Sequence, residues 1–369
     1  MKDFYSFDEY SIPFGIMALF WGLYLMVFIF AVWKTLLQPN KLRNRIEVSG
    51  LFGMFFALYA VFYCINPDYF RYRDWIYEAD FDIWNKEQIY VHLIFFCRSL
   101  PFAYPFEVFR LIVWGGAVLL AYCTFRMYRE QLLPGMTLLF LFVFYAGTFS
   151  YARASLAMAV YFFGVALYLQ KKGFITKVIG IGVALSSMFF HQELVIGIAV
   201  LPFLLIPFEK KGYSVLAVII LLVTVVVISY VNTNLAIFDS MLDNDDLITK
   251  IDDYNDVEQG AFRLSTLVKY FNFIYPLYVV TRCYRREKPP LSVAGIYRLS
   301  YAIILISVAF AVVFGLRSIF VYRVIYIAMI SLAFSIGYCY CNGYLNKRQF
   351  LIMLTIALLT NSIRFINAD

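Results

Sequence analysis

Long apolar runs separated by short polar connectors fill most of this chain. They lie near residues 12–33, 48–66, 107–125, 134–150, 154–170, 174–191, 194–207, 213–231, 263–281, 295–314, 318–341 and 349–366. Most are close to the ~20 residues that carry an α-helix through ~30 Å of hydrocarbon. The apolar positions are continuous, without the alternation a barrel strand needs. With no water in hydrocarbon, backbone N–H and C=O groups must pair within the segment, which a helix achieves. The pattern predicts an all-α polytopic membrane protein with about twelve transmembrane helices. The seventh run is short and bounded by Pro202 and Pro207, which suits a tilted or re-entrant segment.

Two connectors are long. Residues 67–106 hold an acidic, aromatic stretch and then EQIYVHLIFFCRSLPF, an amphipathic run suited to lying flat on the membrane surface. Residues 232–262 carry eight acids and one base, Lys250. That acidic loop has the character of a solvated face, and its DNDD run lacks the Gly and terminal Glu of a calcium loop. No Pro- or Ser-rich linker divides the chain, so residues 1–369 are read as one transmembrane domain.

Composition agrees with the pattern. The chain is 63% hydrophobic and only 15% charged, whereas a soluble domain is nearer a quarter charged. The six cysteines are scattered and form no CxxC pair, so neither a disulfide framework nor a thiolate metal site is indicated. The acidic MKDFYSFDEY start lacks the basic region of a signal peptide, and the first run is read as a retained helix.

Charge adds orientation. Eighteen of the 31 Lys and Arg fall in alternate connectors together with only four acids, as basic residues do on the cytoplasmic side. Both termini and the two long connectors are then outward.

An arginine at the bilayer centre costs about 2.5–3.5 kcal/mol on insertion scales, so one near a span needs a partner or a polar cavity. Arg153, Arg263, Arg317 and Arg323 stand at the outward starts of spans five, nine and eleven. His191 and Glu193 lie where span six gives way to span seven, and Asp68, Arg71, Arg73 and Asp74 follow span two. Arginines converging at one depth suit an anionic, lipid-anchored ligand. A pyrophosphate is the natural candidate, because guanidinium forks match its oxygens in a bidentate way. Each residue also has a plain alternative. The arginines snorkel to headgroups, His191 is a hydrogen-bonded packing residue, Glu193 is an exposed turn acid, and most aromatic side chains are belt or core. P-loop, GxGxxG, HExxH and GxSxG patterns are absent. Two histidines cannot make a three-histidine zinc site, and no cofactor, metal or nucleic-acid partner is expected.

The stretch SYARASLAMAVYFFGVALYLQKKGFITKVIGIGVALSSMFFHQELVIGIAVLP resembles the central block of the EpsG-like family of bacterial polysaccharide polymerases, relatives of the Wzy O-antigen polymerases. The matching positions are Arg153, Lys171–Lys172 and Phe190–His191. NPDYFRY resembles the family's Asp-aromatic-x-x-Tyr element, at Asp68, Tyr69 and Tyr72. EQIY resembles its Glu-x-x-Tyr element, at Glu87 and Tyr90, and FVYRVIYIA resembles an Arg-x-x-Tyr helix start, at Arg323 and Tyr326. Gln192 and Glu193 stand where the family often has Ser after the His. Pro67 and Gln88 stand where it often has Gly before the Asp and Pro after the Glu.

The resemblance implies a glycosyltransferase that joins undecaprenyl-pyrophosphate-linked oligosaccharide repeats at the outer face of the membrane. Its partners are that lipid-linked donor, the bilayer, and a flippase and a chain-length regulator of the same pathway. On that footing Arg153 and Arg323, with Arg317 or Arg263, are the pyrophosphate ligands. His191 is the leading base for the acceptor hydroxyl, with Glu193, Asp68 and Asp74 as alternatives. Tyr69, Tyr72, Glu87, Tyr90 and Tyr326 are the sugar-contacting set. Three rivals stay open: a GT-C-type transferase that adds one sugar from a polyprenyl phosphate, a lipid-linked oligosaccharide flippase, and a membrane O-acyltransferase.

Overall fold

The computed structural model describes residues 13–37, 69–77, 88–101, 104–128, 152–170, 173–191, 194–233, 264–314 and 319–366, with isolated positions between 54 and 62. The described residues form helices and no strand, as expected for an all-α chain. In chain order they are α1 Phe14–Leu37, α2 Tyr69–Tyr77, α3 Gln88–Ser99, α4 Pro105–Met127, α5 Ala152–Leu169, α6 Phe174–Phe190 and α7 Leu194–Ala199. Then follow α8 Ser214–Thr233, α9 Leu264–Arg286, α10 Leu291–Phe314, α11 Ile319–Cys341 and α12 Lys347–Ile366. Within α4, Leu111–Gly115 makes one wider π turn. Two helices, Pro105–Met127 and Leu291–Val312, are long and apolar enough by length and composition to cross a bilayer. The expected runs 48–66 and 134–150 lie largely or wholly outside the described residues.

Local chemistry explains the boundaries. Pro105 opens α4 at a position where its missing N–H costs nothing. Pro290 precedes α10 and accepts from Val293 and Ala294, both at 3.0 Å. Gly343 ends α11 with φ 73°, which lets Tyr344 N–H reach back to the Cys339 carbonyl at 2.8 Å. The short seventh run divides into α7 and a tight 3₁₀ turn, Leu201–Leu205, with Pro202 at its start. Together they reach at most about 19 Å, against a hydrocarbon core of about 30 Å.

Polar side chains inside the apolar helices bond to their own backbone. Thr124 donates to Leu120 O at 2.8 Å, Thr281 to Leu277 O at 2.6 Å and Ser307 to Ile303 O at 2.7 Å. Such pairing is needed where water is excluded.

The chain divides into two compact units. The first comprises residues 1–198 with 336–347. In it α5 is buried nearly all round and lies against α6 at backbone distance. A Cβ built on Gly164 would sit 2.6 Å from the Gly180 carbonyl, and one on Gly180 would sit 2.6 Å from Tyr168 N, so only glycine fits at either position. Tyr161, fully buried, donates to Gly197 O at 2.6 Å and ties α5 to α7.

The second unit comprises residues 199–335 with 348–367. Its centre is α10, which packs on α8 and on the 201–205 turn. Ser300 donates to Ser331 at 2.6 Å between α10 and α11. Arg298 of α10 is buried and makes a two-pronged pair with Glu209, 2.6 Å from Nη2 to Oε1 and 3.2 Å from Nε to Oε2. Its Nη1 donates to Leu204 O at 2.9 Å. Glu209 follows the seventh apolar run and Arg298 lies near the start of the tenth, and here they clamp the turn at 201–209 onto α10.

Candidate functional site

The first unit gathers aromatic and cationic side chains at the N-terminal end of α5. Four elements build the cluster: α2, α3, the first half of α4 and the first turn of α5. In α2, YFRYRDWIY places Tyr69, Tyr72, Trp75 and Ile76 on one stripe by i, i+3 spacing, and all four are buried. Tyr69 meets Phe106 edge-on at 5.6 Å between centroids. Tyr72 contacts Trp75 at 4.9 Å, Phe109 at 5.9 Å and Trp114 at 5.8 Å. Trp114 belongs to the π turn of α4. These rings are occupied with one another and form a wall.

Arg153 stands against that wall. Its guanidinium carbon lies 5.3 Å from the centroid of the Trp75 ring and 6.0 Å from that of Tyr90, within the reach of cation–π attraction. The Tyr90 hydroxyl donates to the Arg153 carbonyl at 3.2 Å, so α3 holds the backbone of the residue whose side chain its ring also meets. A cation–π contact orients the guanidinium by its face against the rings.

Neighbouring charges are paired locally. Arg73 and Asp74 form an ion pair at 3.4 Å, and Arg73 lies over the Phe70 and Tyr69 rings at 5.1 and 5.9 Å. Arg98, at the end of α3, donates from Nη2 to Trp75 O at 2.6 Å and from Nε to Ile76 O at 2.9 Å. Burial pulls its guanidinium below the ordinary value, but arginine remains charged. Burial also pushes the adjacent Cys97 thiol up to about 11, which leaves it protonated and a poor nucleophile near neutral pH.

His191 closes α6 in an extended conformation. Its N–H donates to Ser187 O at 3.2 Å, and its carbonyl accepts from Leu194 at 3.0 Å. The antiparallel register set by Gly164, Gly180 and Tyr168 brings the end of α6, with His191, level with the first turn of α5, where Arg153 sits. Ser155, in the same turn, is fully buried.

Of the sequence-derived set, the structure places Tyr69, Tyr72, Asp74, Tyr90, Arg153 and His191 in the first unit. The ring wall and the cation–π contacts bring Tyr72, Trp75, Tyr90 and Arg153 together. Asp68, Glu87, Glu193, Arg263 and Arg317 lie outside the described residues. Arg323 and Tyr326 fall in the first turns of α11, in the second unit, and their side chains are outside those described. Among the described residues no three His, Cys, Asp or Glu side chains come close enough to hold a metal ion.

The sequence model of the EpsG family matches residues 46–368, nearly the whole chain. The chain belongs to the EpsG family. It is thus a membrane protein of the polysaccharide-polymerase type, a class associated with glycosyltransferase-like activity. The EpsG match takes in all four elements of the cluster. No curated protein and no solved structure matches the chain.

Sequence reasoning missed Trp75 and Arg98. A signal for Arg98 existed: Tyr90, Val91, Ile94 and Cys97 form the buried stripe of α3, and Arg98 continues that stripe at i+4 from Ile94. An arginine at the end of an apolar stripe has to find acceptors there.

Proposed function

We propose that this EpsG-family protein is a polysaccharide polymerase of twelve spans in one membrane domain. It joins undecaprenyl-pyrophosphate-linked oligosaccharide repeats at the outward face of a bacterial cytoplasmic membrane. The observation that carries the reading is Arg153, seated by Trp75 and Tyr90 at the N-terminal start of a buried helix. The acceptor hydroxyl oxygen attacks the anomeric carbon of the growing chain. The bond from that carbon to the diphosphate oxygen breaks, and its electron pair leaves with undecaprenyl pyrophosphate. The hydroxyl proton passes to a base.

Negative charge grows on the departing diphosphate, so a preorganised cation there stabilises the transition state more than the ground state. Arg153 fills that place, and Arg323 with either Arg317 or Arg263 are the further diphosphate ligands that the family resemblance implies. His191, at the level of Arg153, takes the proton, with Glu193, Asp68 and Asp74 as the alternatives. Tyr69, Tyr72 and Tyr90 shape the wall beside the sugars, and Glu87 and Tyr326 contact them. The arginines neutralise the leaving group without a metal. Inactivation by a chelator with rescue by a divalent ion contradicts that assignment.

The decisive experiment deletes the gene in its native host and resolves surface polysaccharide by gel. The polymerase reading expects a ladder collapsed to one repeat on its carrier. Loss of even that repeat at the outer face indicates a flippase, and loss of one sugar from each repeat indicates a single-sugar transferase, with Asp68 or Asp74 as its acid. A histidine base must be neutral, so polymer formation in membranes is expected to fall below about pH 6.5. A rate that rises there contradicts the base assignment and fits a cationic His191.

A further inference from the structure

The brace between α2 and α3 does more than join two short helices. The last carbonyls of any helix lack intrahelical partners, and a cation placed there satisfies them and complements the helix dipole. Arg98 does this for α2, and the carbonyls it takes are those of Trp75 and Ile76, at 2.6 and 2.9 Å. The Trp75 indole is the ring nearest the Arg153 guanidinium, at 5.3 Å. The same helix α3 carries Tyr90, whose hydroxyl reaches the Arg153 carbonyl at 3.2 Å. Two contacts from one rigid helix, separated by about 12 Å of helical rise, thus fix the Arg153 backbone at one end and the Trp75 backbone at the other.

We propose that Arg98 is a positioning residue for Arg153: it grips the backbone of Trp75 and so fixes the indole against which the Arg153 guanidinium rests. The inference rests on the reading of Arg153 as the diphosphate ligand. Arg98 itself touches no substrate. It acts through Trp75, and its effect vanishes when the indole is gone.

That dependence is the test. Polymer formation is measured in membranes of the native host, which supply the lipid-linked repeat, for Arg98→Ala, Arg98→Gln, Arg98→Lys, Trp75→Ala, Arg98→Ala/Trp75→Ala and Arg98→Gln/Trp75→Ala, with protein level and melting temperature recorded for each. Arg98→Ala is expected to lower the rate about tenfold, and Arg98→Lys, which keeps the charge but not the two-pronged fork, to lower it by less than Arg98→Ala does. In the Trp75→Ala background the Arg98 substitutions are expected to add less than about twofold, because residues acting through one another are not additive. Inorganic pyrophosphate, added as a probe, is expected to inhibit the native protein more strongly than Arg98→Ala.

A native rate in Arg98→Ala, or losses that multiply in the double variant, overturns the proposal. If Arg98→Ala does not accumulate, Arg98→Gln, alone and with Trp75→Ala, decides by the same criterion. Arg153→Ala is run beside them. Full polymer there removes the parent reading, whereas loss in Arg153→Ala with multiplying Arg98 losses removes only the brace.

Discussion

Arg153 and Arg298 are both arginines on largely buried membrane helices, and their surroundings differ in kind. Arg298 spends its fork on a carboxylate and a backbone carbonyl: Glu209 at 2.6 Å and Leu204 O at 2.9 Å. The charge is matched, the geometry is bidentate, and both partners are about one-tenth exposed. Arg153 instead rests on the faces of Trp75 and Tyr90. Aromatic rings hold a guanidinium in place through their quadrupoles without cancelling its charge. The first arrangement locks a turn onto a helix, and the second seats a guanidinium against a wall of rings. A charged residue in an apolar segment therefore says little about function until its partners are known.

The comparison can be broken at several points. The largest expected effect is on stability. Arg298→Ala leaves Glu209 buried without its cation and should cost about 3–5 kcal/mol, read as loss of folded protein in a thermal or denaturant melt. Replacing both, Arg298→Met with Glu209→Leu, should restore most of that, since an apolar pair of similar volume is often neutral or better. A stable Arg298→Ala protein contradicts the locking role.

Gly164→Ala comes next. Its methyl meets the Gly180 carbonyl, and overpacking of this kind costs about 1–3 kcal/mol. A lower melting temperature is expected, and an unchanged one means that α5 and α6 separate more easily than their backbone contact suggests. Trp75→Leu removes a cation–π contact of about 1–2 kcal/mol and should slow polymer formation by roughly 5- to 30-fold with the protein still folded. If folding fails and activity per folded molecule does not, Trp75 belongs with Arg298 as a structural partner. Ser300→Ala removes one interhelical hydrogen bond to Ser331 and should cost only about 0.6 kcal/mol.

Much of the helical layout was legible. The apolar runs expected at 107–125, 154–170, 174–191, 213–231 and 318–341 appear as Pro105–Met127, Ala152–Leu169, Phe174–Phe190, Ser214–Thr233 and Ile319–Cys341. Length and hydropathy are local properties, and a membrane helix satisfies its own backbone, so its boundaries are written within it. The amphipathic run after Glu87 was legible too, as Gln88–Ser99.

The partnerships were not legible. Arg98 bonds to residues 22 and 23 positions away, and Arg298 pairs across 89 positions. No periodicity records such separations. The partnership of Arg298 therefore left no mark near the start of its apolar run, and the indole beneath Arg153 passed unnoticed in an aromatic-rich stretch. Arg153 was found because its place at a helix start is itself local. Tyr69 and Tyr72 were read as sugar-contacting; sequence shows that a ring is present, not that Phe106, Phe109 and Trp114 pack against it.

The most direct test of the central claim is polymer length in the native host carrying Arg153→Ala, with the melting temperature of the same purified variant. The account predicts polymer formation lowered by about 10²–10³-fold, so that the ladder collapses to a single lipid-linked repeat, with the melting temperature close to that of the native protein. A full-length ladder from a folded Arg153→Ala protein contradicts it.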